Sequence, residues 1–410
     1  MVRLIIMLFP ILFSVVSIYG LANFIETAFL ESPLFKLLSL VPRNIAVSPT
    51  NNPAGEVRFV DYSIIYDLAN VSGSRNIWGA GDFEKLPVPV SLLVHPLALP
   101  QRWFHYLFLA AGKMSDVVGF EWFIDVDRVL EWGIPPEEFF ILEGTFDMER
   151  IKKALETHGF DTIEVNETLI LSRCCNKGFN TAWESVYPFW RFGADSFVIP
   201  FPELKVIANT GTLDSATEFV HTYRNRQPTL MDDPDYRLLA EIVAEKRDLI
   251  AAVFLSPTVL RYPGSHMEGI LQQYAKFDPA ELPVFSLAVL AERQDGSERV
   301  IVIALAYPDA EVAENACRIV VRRFENWDAC KLIGEGTPLI KQYEKYNGKI
   351  TWRVEKSPYN AAGIVEIRYV VPSLEMYKTP IPWERPPLPY QFFKVCYDAI
   401  IRGCFIPLWW

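Results

Sequence analysis

Residues Phe139–Arg173 read FFILEGTFDMERIKKALETHGFDTIEVNETLILSR, and this stretch decides the fold class. Phe139 to Glu143 is dense in strand-forming side chains and stops at Gly144. Asp147 stands where a helix needs an N-cap, apolar Ile151, Ala154 and Leu155 recur on one helical face, and Gly159 supplies the left-handed stop. Two more strands, Phe160 to Val165 and Leu169 to Ser172, flank Asn166-Glu167-Thr168, which reads as a hairpin turn. Strand, helix, strand, strand is the order of a helix laid on an antiparallel sheet, so the expected class is α+β.

The same grammar extends in both directions. Downstream, Val284 to Glu292 and Arg299 to Ala306 read as strands around a turn at Asp295-Gly296, Ala310 to Phe324 as a helix entered through Pro308-Asp309, and Ile350 to Glu355 with Gly363 to Val371 as an antiparallel pair. Asp232-Asp233-Pro234-Asp235 opens a helix running to about Lys246, and Leu249 to Leu255 is a buried strand. Upstream, Val117 to Ile124 reads as a strand followed by a short helix from Asp125 to Trp132. The two halves thus share one order of elements, which predicts two similar α+β units, 45–210 and 211–375, each with helices packed on a mainly antiparallel sheet. The segments LEGTFD, IKKALETHGF and DDPDYRLLAEIV resemble parts of uncharacterised exported bacterial proteins. That resemblance implies an exported compartment and this architecture, and it carries over no functional residue.

At the amino terminus, 1–22, Arg3 precedes the apolar run Leu4 to Tyr19, and Gly20 and Ala22 place small residues where a signal peptidase needs them. The segment reads as an apolar helix serving either as a signal cleaved after Ala22 or as an anchor, since about 20 apolar residues span a bilayer core. Either reading puts the remainder outside the cytoplasm, secreted or at the outer face of the cytoplasmic membrane. The membrane is a partner only if the segment stays. No cysteine precedes Cys174, so lipid attachment at a processed terminal cysteine is not expected. Phe24 to Val41 is broken by Glu26, Glu31, Pro33 and Lys36, and apolar Ile25, Ala28 and Phe29 at helical spacing read as an amphipathic helix resting on the body or on the membrane surface, with packing on the core the favoured use. The apolar, proline-rich tail 376–410 carries Lys394, Asp398 and Arg402 every four residues, the spacing of an amphipathic helix rather than a membrane span.

With 410 residues, 50% of them hydrophobic and 14% aromatic, the chain can build large cores and is not a disordered one. A net charge of −11 repels phosphate backbones, so nucleic acid is not an expected partner. The nearest basic cluster, Arg318, Arg322 and Arg323 with Phe324, reads as a solvated helix face. Cys317 with Cys330 and Cys396 with Cys404 are local disulfide options, and buried free thiols are the alternative.

Catalytic signatures are sparse. The five histidines share no helix face, and HExxH, CxxC, P-loop, GxGxxG and GxSxG patterns are missing, so neither metal nor cofactor is expected. Ser265 beside His266 lies on a turn that points the two side chains apart. Asp125-Val126-Asp127 is the best carboxylate pair, able at a strand end to hold a divalent cation or divide acid and base roles. Its competing reading is structural: Asp125 caps the helix that follows and Asp127 favours its first turn. Asp232, Asp233 and Asp235 share that ambiguity. Aromatic residues concentrate at Trp103, Phe104, His105, Tyr106 and Phe108 and again at Trp183, Tyr187, Phe189, Trp190 and Phe192. In the second group Trp183, Tyr187 and Trp190 with Arg191 form a candidate surface for a small-molecule or protein partner. Asn70-Val71-Ser72 and Asn166-Glu167-Thr168 match the glycosylation sequon. The expected function is therefore an exported cell-envelope protein with a non-catalytic binding or assembly role. The alternatives are an exported hydrolase using Asp125 and Asp127, and a lipid-binding carrier with an aromatic-lined cavity.

Overall fold

The computed structural model of the chain describes residues 32–46, 56–68, 114–133, 139–173, 195–245, 248–257, 281–327, 338–371, 392–401 and 405–408. The segment 1–22, the aromatic groups at 103–108 and 183–192, the sequon at 70–72, the Ser265-His266 pair and Cys174, Cys175, Cys330 and Cys404 lie outside them. In chain order, α1 (Pro33–Leu38) and α2 (Arg43–Ala46) precede β1 (Glu56–Asp61), α3 (Tyr62–Leu68), α4 (Met114–Val118) and α5 (Trp122–Asp125). Then come β2 (Val126–Trp132), β3 (Phe139–Gly144), α6 (Met148–Thr157), β4 (Asp161–Val165), β5 (Thr168–Arg173), β6 (Ser196–Phe201) and β7 (Val206–Thr210). The chain continues with α7 (Leu213–Asn225), α8 (Pro234–Ala244), β8 (Leu249–Leu255), β9 (Leu287–Asp295), β10 (Glu298–Tyr307) and α9 (Ala310–Asn326). It closes with α10 (Leu339–Tyr343), β11 (Lys349–Lys356), β12 (Ala361–Val370) and α11 (Phe392–Ile401).

The stretch from β3 to β5 forms as its local chemistry dictates. The Asp147 carboxylate accepts the Arg150 amide at 3.0 Å, and Ile151, Ala154 and Leu155 turn into the core. Gly159 ends the helix at φ +84°, and Asn166 and Glu167, at φ +46° and +61°, make the two-residue turn that suits the strand twist. Asp309 caps α9 in the same way, accepting the Val312 amide at 2.9 Å. Asp147→Ala is expected to lower stability by about 1 kcal/mol, the usual worth of an N-cap, read as a lower urea midpoint with unchanged slope. An unmoved midpoint would show that the cap adds nothing.

The expected order of elements fails at one place. The segment expected to be a strand at 117–124 followed by a helix at 125–132 has the opposite order: α4 and α5 come first, and β2 occupies Val126–Trp132. Gly119, at φ +83°, breaks the upstream segment, and a Cβ there would sit 2.5 Å from the Ile151 Cα. Along β2, Val129 joins the core on one face while Leu130 and Trp132 join the core on the other. The register shift at Asp127 and the inward-facing charges Arg128 and Glu131 leave the apolar residues Val126, Val129 and Leu130 at helical rather than alternating spacing, so the pattern imitates a helix.

The strands form one 12-stranded sheet with the order β11-β12-β10-β9-β8-β1-β2-β3-β7-β6-β5-β4. All its neighbours are antiparallel. Strands from 45–210 and 211–375 meet at β1 and β8, paired from Glu56↔Leu255 to Val60↔Ala251. On one face α3, α4, α6, α9, α10 and α11 cover the sheet; on the other lie α1, α7 and α8. Each half begins as a meander with a long excursion after its first strand: β1, β2, β3 and β8, β9, β10. Each then adds a helix, and a later strand returns to the meander, β7 beside β3 and β12 beside β10.

The described parts of both terminal segments pack on the body. Leu34, Leu37 and Leu38 of α1 are fully buried, as are Phe392, Cys396 and Ala399 of α11. Cys317 and Cys396 are buried free thiols. Burial pushes the Cys317 thiol up to about 12 and moves Cys396 upward as well. Among the described residues no helix is long and apolar enough to cross a membrane.

Candidate functional site

The polar residues worth weighing as a site gather where β1 ends, β2 begins and β3 ends. Asp61 closes β1 and starts α3, so its Oδ1 accepts the Ser63 amide at 2.9 Å, the Ile64 amide at 3.3 Å and the Ser63 hydroxyl. Its Oδ2 accepts Arg128 Nε at 2.7 Å. The same guanidinium gives Nη1 to Glu143 Oε2 at 3.0 Å, and Glu143 Oε1 receives Lys36 Nζ at 2.5 Å. Lys36 also donates to the Leu204 carbonyl at 2.9 Å. The chain Asp61, Arg128, Glu143, Lys36 thus ties α1, β1, β2, β3 and the turn after β6 into one network.

The electrostatics follow the burial. Asp61 is 2% exposed, and that burial raises its pKa against the lowering pull of Arg128 and Ser63. Burial opposes the charge on Arg128, and Asp61 with Glu143 reverses the effect to leave its pKa raised. All four carboxylate oxygens of Asp61 and Glu143 accept hydrogen bonds. In this arrangement they hold elements together; a general base would need an oxygen facing substrate.

Asp125 and Asp127 adjoin this network. Asp125 is the last residue of α5, and its Oδ2 reaches back to the Glu121 amide at 2.7 Å, where that helix starts. The helix it serves precedes it, because the residues after it are β2. Burial raises the Asp125 pKa, the Glu121 amide and Arg150 lower it, and the charge of Asp127 adds to the rise. The β2–β3 register jumps from Val126↔Gly144 to Arg128↔Glu143, leaving Asp127 as the extra residue of a β-bulge. Asp233 likewise caps α8, accepting the Asp235 and Tyr236 amides at 3.0 and 3.3 Å, while Asp232 accepts the Thr229 amide at 2.7 Å. Among the described residues no group of three or more His, Cys, Asp and Glu is placed to hold a metal ion.

Two further charged clusters lie on the face covered by α11. Arg58 meets Glu131 at 3.0 Å and donates to the Tyr397 hydroxyl at 3.4 Å, and Tyr397 donates to Glu56 at 2.6 Å. Burial raises the Tyr397 pKa, with Glu56 adding to it and Arg58 opposing it. Glu292 and Arg299 are 6% and 3% exposed and approach to 3.4 Å, an ion pair in which Arg299 Nη1 and Nε make no hydrogen bond among the described residues. Arg318 in the expected solvated face is exposed and pairs with Glu314, whereas Arg323 is buried. None of Asp61, Arg128, Glu143 and Lys36 stands out in the sequence as a group. Their partners lie 15 to 107 positions apart, and only the Asp before an apolar helical run at 61–62 is a local signal.

No family model matches the chain, and no curated protein matches it. Among solved structures, crystal form I of TP0453 is similar with a TM-score of 0.33 and 8% identity, over 82% of this chain and 93% of that one. Crystal form IV of the same protein gives 0.30 and 8%, over 80% and 91%. Likeness at this level assigns no activity.

Proposed function

We propose that the chain is an exported protein of the cell envelope whose role is binding or assembly without catalysis, either secreted or held by 1–22 at the outer face of the membrane. The observation that carries the non-catalytic part is the saturation of the strand-end carboxylates. Asp61 and Glu143 spend every oxygen on caps and ion pairs, and Asp125 accepts a backbone amide at a helix start. Arg3, the apolar run behind it and the small residues Gly20 and Ala22 support export. Trp183, Tyr187, Trp190 and Arg191 are the proposed binding surface. The repeated order of meander, helix and returning strand on either side of the β1–β8 pair supports a build from two similar units behind an apolar amino-terminal helix.

The test is mass spectrometry of the amino terminus of the protein from fractionated native cells. Asn23 as first residue in the soluble exported fraction supports a secreted protein, and an intact Met1 in the membrane fraction supports the anchor. An intact chain in the cytosol overturns the proposal. The hydrolase alternative predicts a soluble-substrate activity that Asp125→Asn abolishes.

A further inference from the structure

We propose that β11 is a self-recognition edge: two copies of the chain pair antiparallel through Lys349–Lys356, joining their sheets about a two-fold axis at Trp352. This deepens the assembly part of the proposed role and rests on it only for its biological purpose. β11 ends the sheet, and among the described residues no strand pairs with its outer side. An open strand edge is a template for another chain unless it is blunted.

The residues along β11 distinguish these outcomes. Opposite β12, Ile350, Trp352 and Val354 face Ile367, Val365 and Gly363, so they share the α9 side of the sheet; Lys349, Thr351, Arg353 and Glu355 point to the other side. Trp352 is 40% exposed, and Arg318 of α9 lies 5.8 Å from its ring centroid. When a second β11 is laid antiparallel with Trp352 facing its own copy, Ile350 meets Val354 and Lys349 meets Glu355, each twice. Apolar residues then meet apolar residues on one face, and opposite charges meet on the other. Moving the axis to Arg353 sets two guanidinium groups against each other.

The opposite edge does not share this property. β4 reads Asp161-Thr162-Ile163-Glu164-Val165, so self-pairing brings together two acidic strands that carry no cation. A β4–β11 pairing would continue the sheet indefinitely, but its faces do not match. Ile163 of β4 lies opposite Ile170, on the side that carries the charges of β11, which leaves Thr162 and Glu164 opposite Ile350, Trp352 and Val354. The self-complementary edge therefore closes as a dimer rather than opening into a filament.

Sedimentation equilibrium of the full chain in mild detergent tests the inference. A dimer is expected, with Lys349→Glu or Glu355→Lys alone weakening it about tenfold, since each turns two attractive cross-strand pairs into two repulsive ones. The double reversal restores it, and Trp352→Glu also weakens it. All these side chains are exposed or half-buried, so folding is not at stake, and circular dichroism checks that it is intact. A monomer at all concentrations, a dimer indifferent to the charge reversals, or an assembly that responds to Glu164→Lys on β4 overturns it. None of these outcomes bears on the location of the protein, so the two proposals fail separately.

Discussion

Replacing Glu292 alone by Met is expected to destabilise the fold by about 3–5 kcal/mol, whereas replacing Glu292 and Arg299 together is expected to leave stability unchanged or raised by about 1–4 kcal/mol. The pair sits under α11 with both side chains almost fully enclosed, and at 3.4 Å the guanidinium nitrogens Nη1 and Nε of Arg299 still make no hydrogen bond among the described residues. Removing either partner strands the other charge in an apolar layer that includes Tyr343, Phe392 and Cys396. Removing both returns that layer to hydrocarbon and dispenses with two desolvation penalties. Acid titration adds a second signature. Burial raises the Glu292 pKa, and Arg299 only partly opposes it. The native state therefore binds a proton more tightly than the unfolded chain, so this group's contribution is fully present below the unfolded carboxyl value of about 4.3 and is lost as pH rises through the folded value. Urea unfolding of wild type and double variant across that window should show the wild type gaining relative stability as pH falls. Parallel pH profiles, or a double variant as damaged as the singles, would show that the pair is favourable as it stands.

Gly144→Ala is expected to cost about 3 kcal/mol or more. The reason is distance rather than backbone conformation: a Cβ at this position would lie 1.9 Å from the Asp125 carbonyl oxygen and 2.9 Å from its carbon. Both are main-chain atoms, so no side-chain rotation relieves the collision. The adjacent Thr145 amide donates to that same carbonyl at 2.8 Å, and the Gly144 amide donates to the Lys205 carbonyl at 3.0 Å. Separating the strands to admit a methyl group breaks the first and disturbs the bulge that places Asp127 and Arg128. Chemical denaturation measures the loss, and hydrogen exchange should report it first at the amides of β2 and β3. A variant as stable as wild type would mean that the bulge slides without penalty.

The Asp61 to Lys36 network and Gly144 occupy the same strand ends, yet they differ in how much the sequence discloses. Gly144 is visible as the stop after a strand-rich run. Its crowding against Asp125 is not, because the neighbour lies across the sheet. Asp125 illustrates the same divide. Its capping role is legible from its residue type, but the helix it serves lies before it, since the segment that follows it is the strand β2, whose apolar residues Val126, Val129 and Leu130 fall at helical spacing. Lys36 is an interruption of an apolar run when read along the chain, and only burial against β3 makes it the partner of Glu143. α11 is legible as part of an amphipathic segment because Lys394, Asp398 and Arg402 recur at helical spacing.

Elements that form from interactions within a few residues were determined by the sequence itself. Asp147 and Asp309 set helix starts through their own carboxylates, and Asn166 and Gly296 set turns through their tolerance of positive φ. The β3-to-β5 stretch therefore specifies an α+β chain through local interactions alone. Tertiary structure decided that the two halves share a single sheet, that β1 and β8 form its seam, that β2 is a strand and which charges meet. Those choices depend on pairing groups tens to hundreds of residues apart and on covering both faces of the sheet, so no local window contains them.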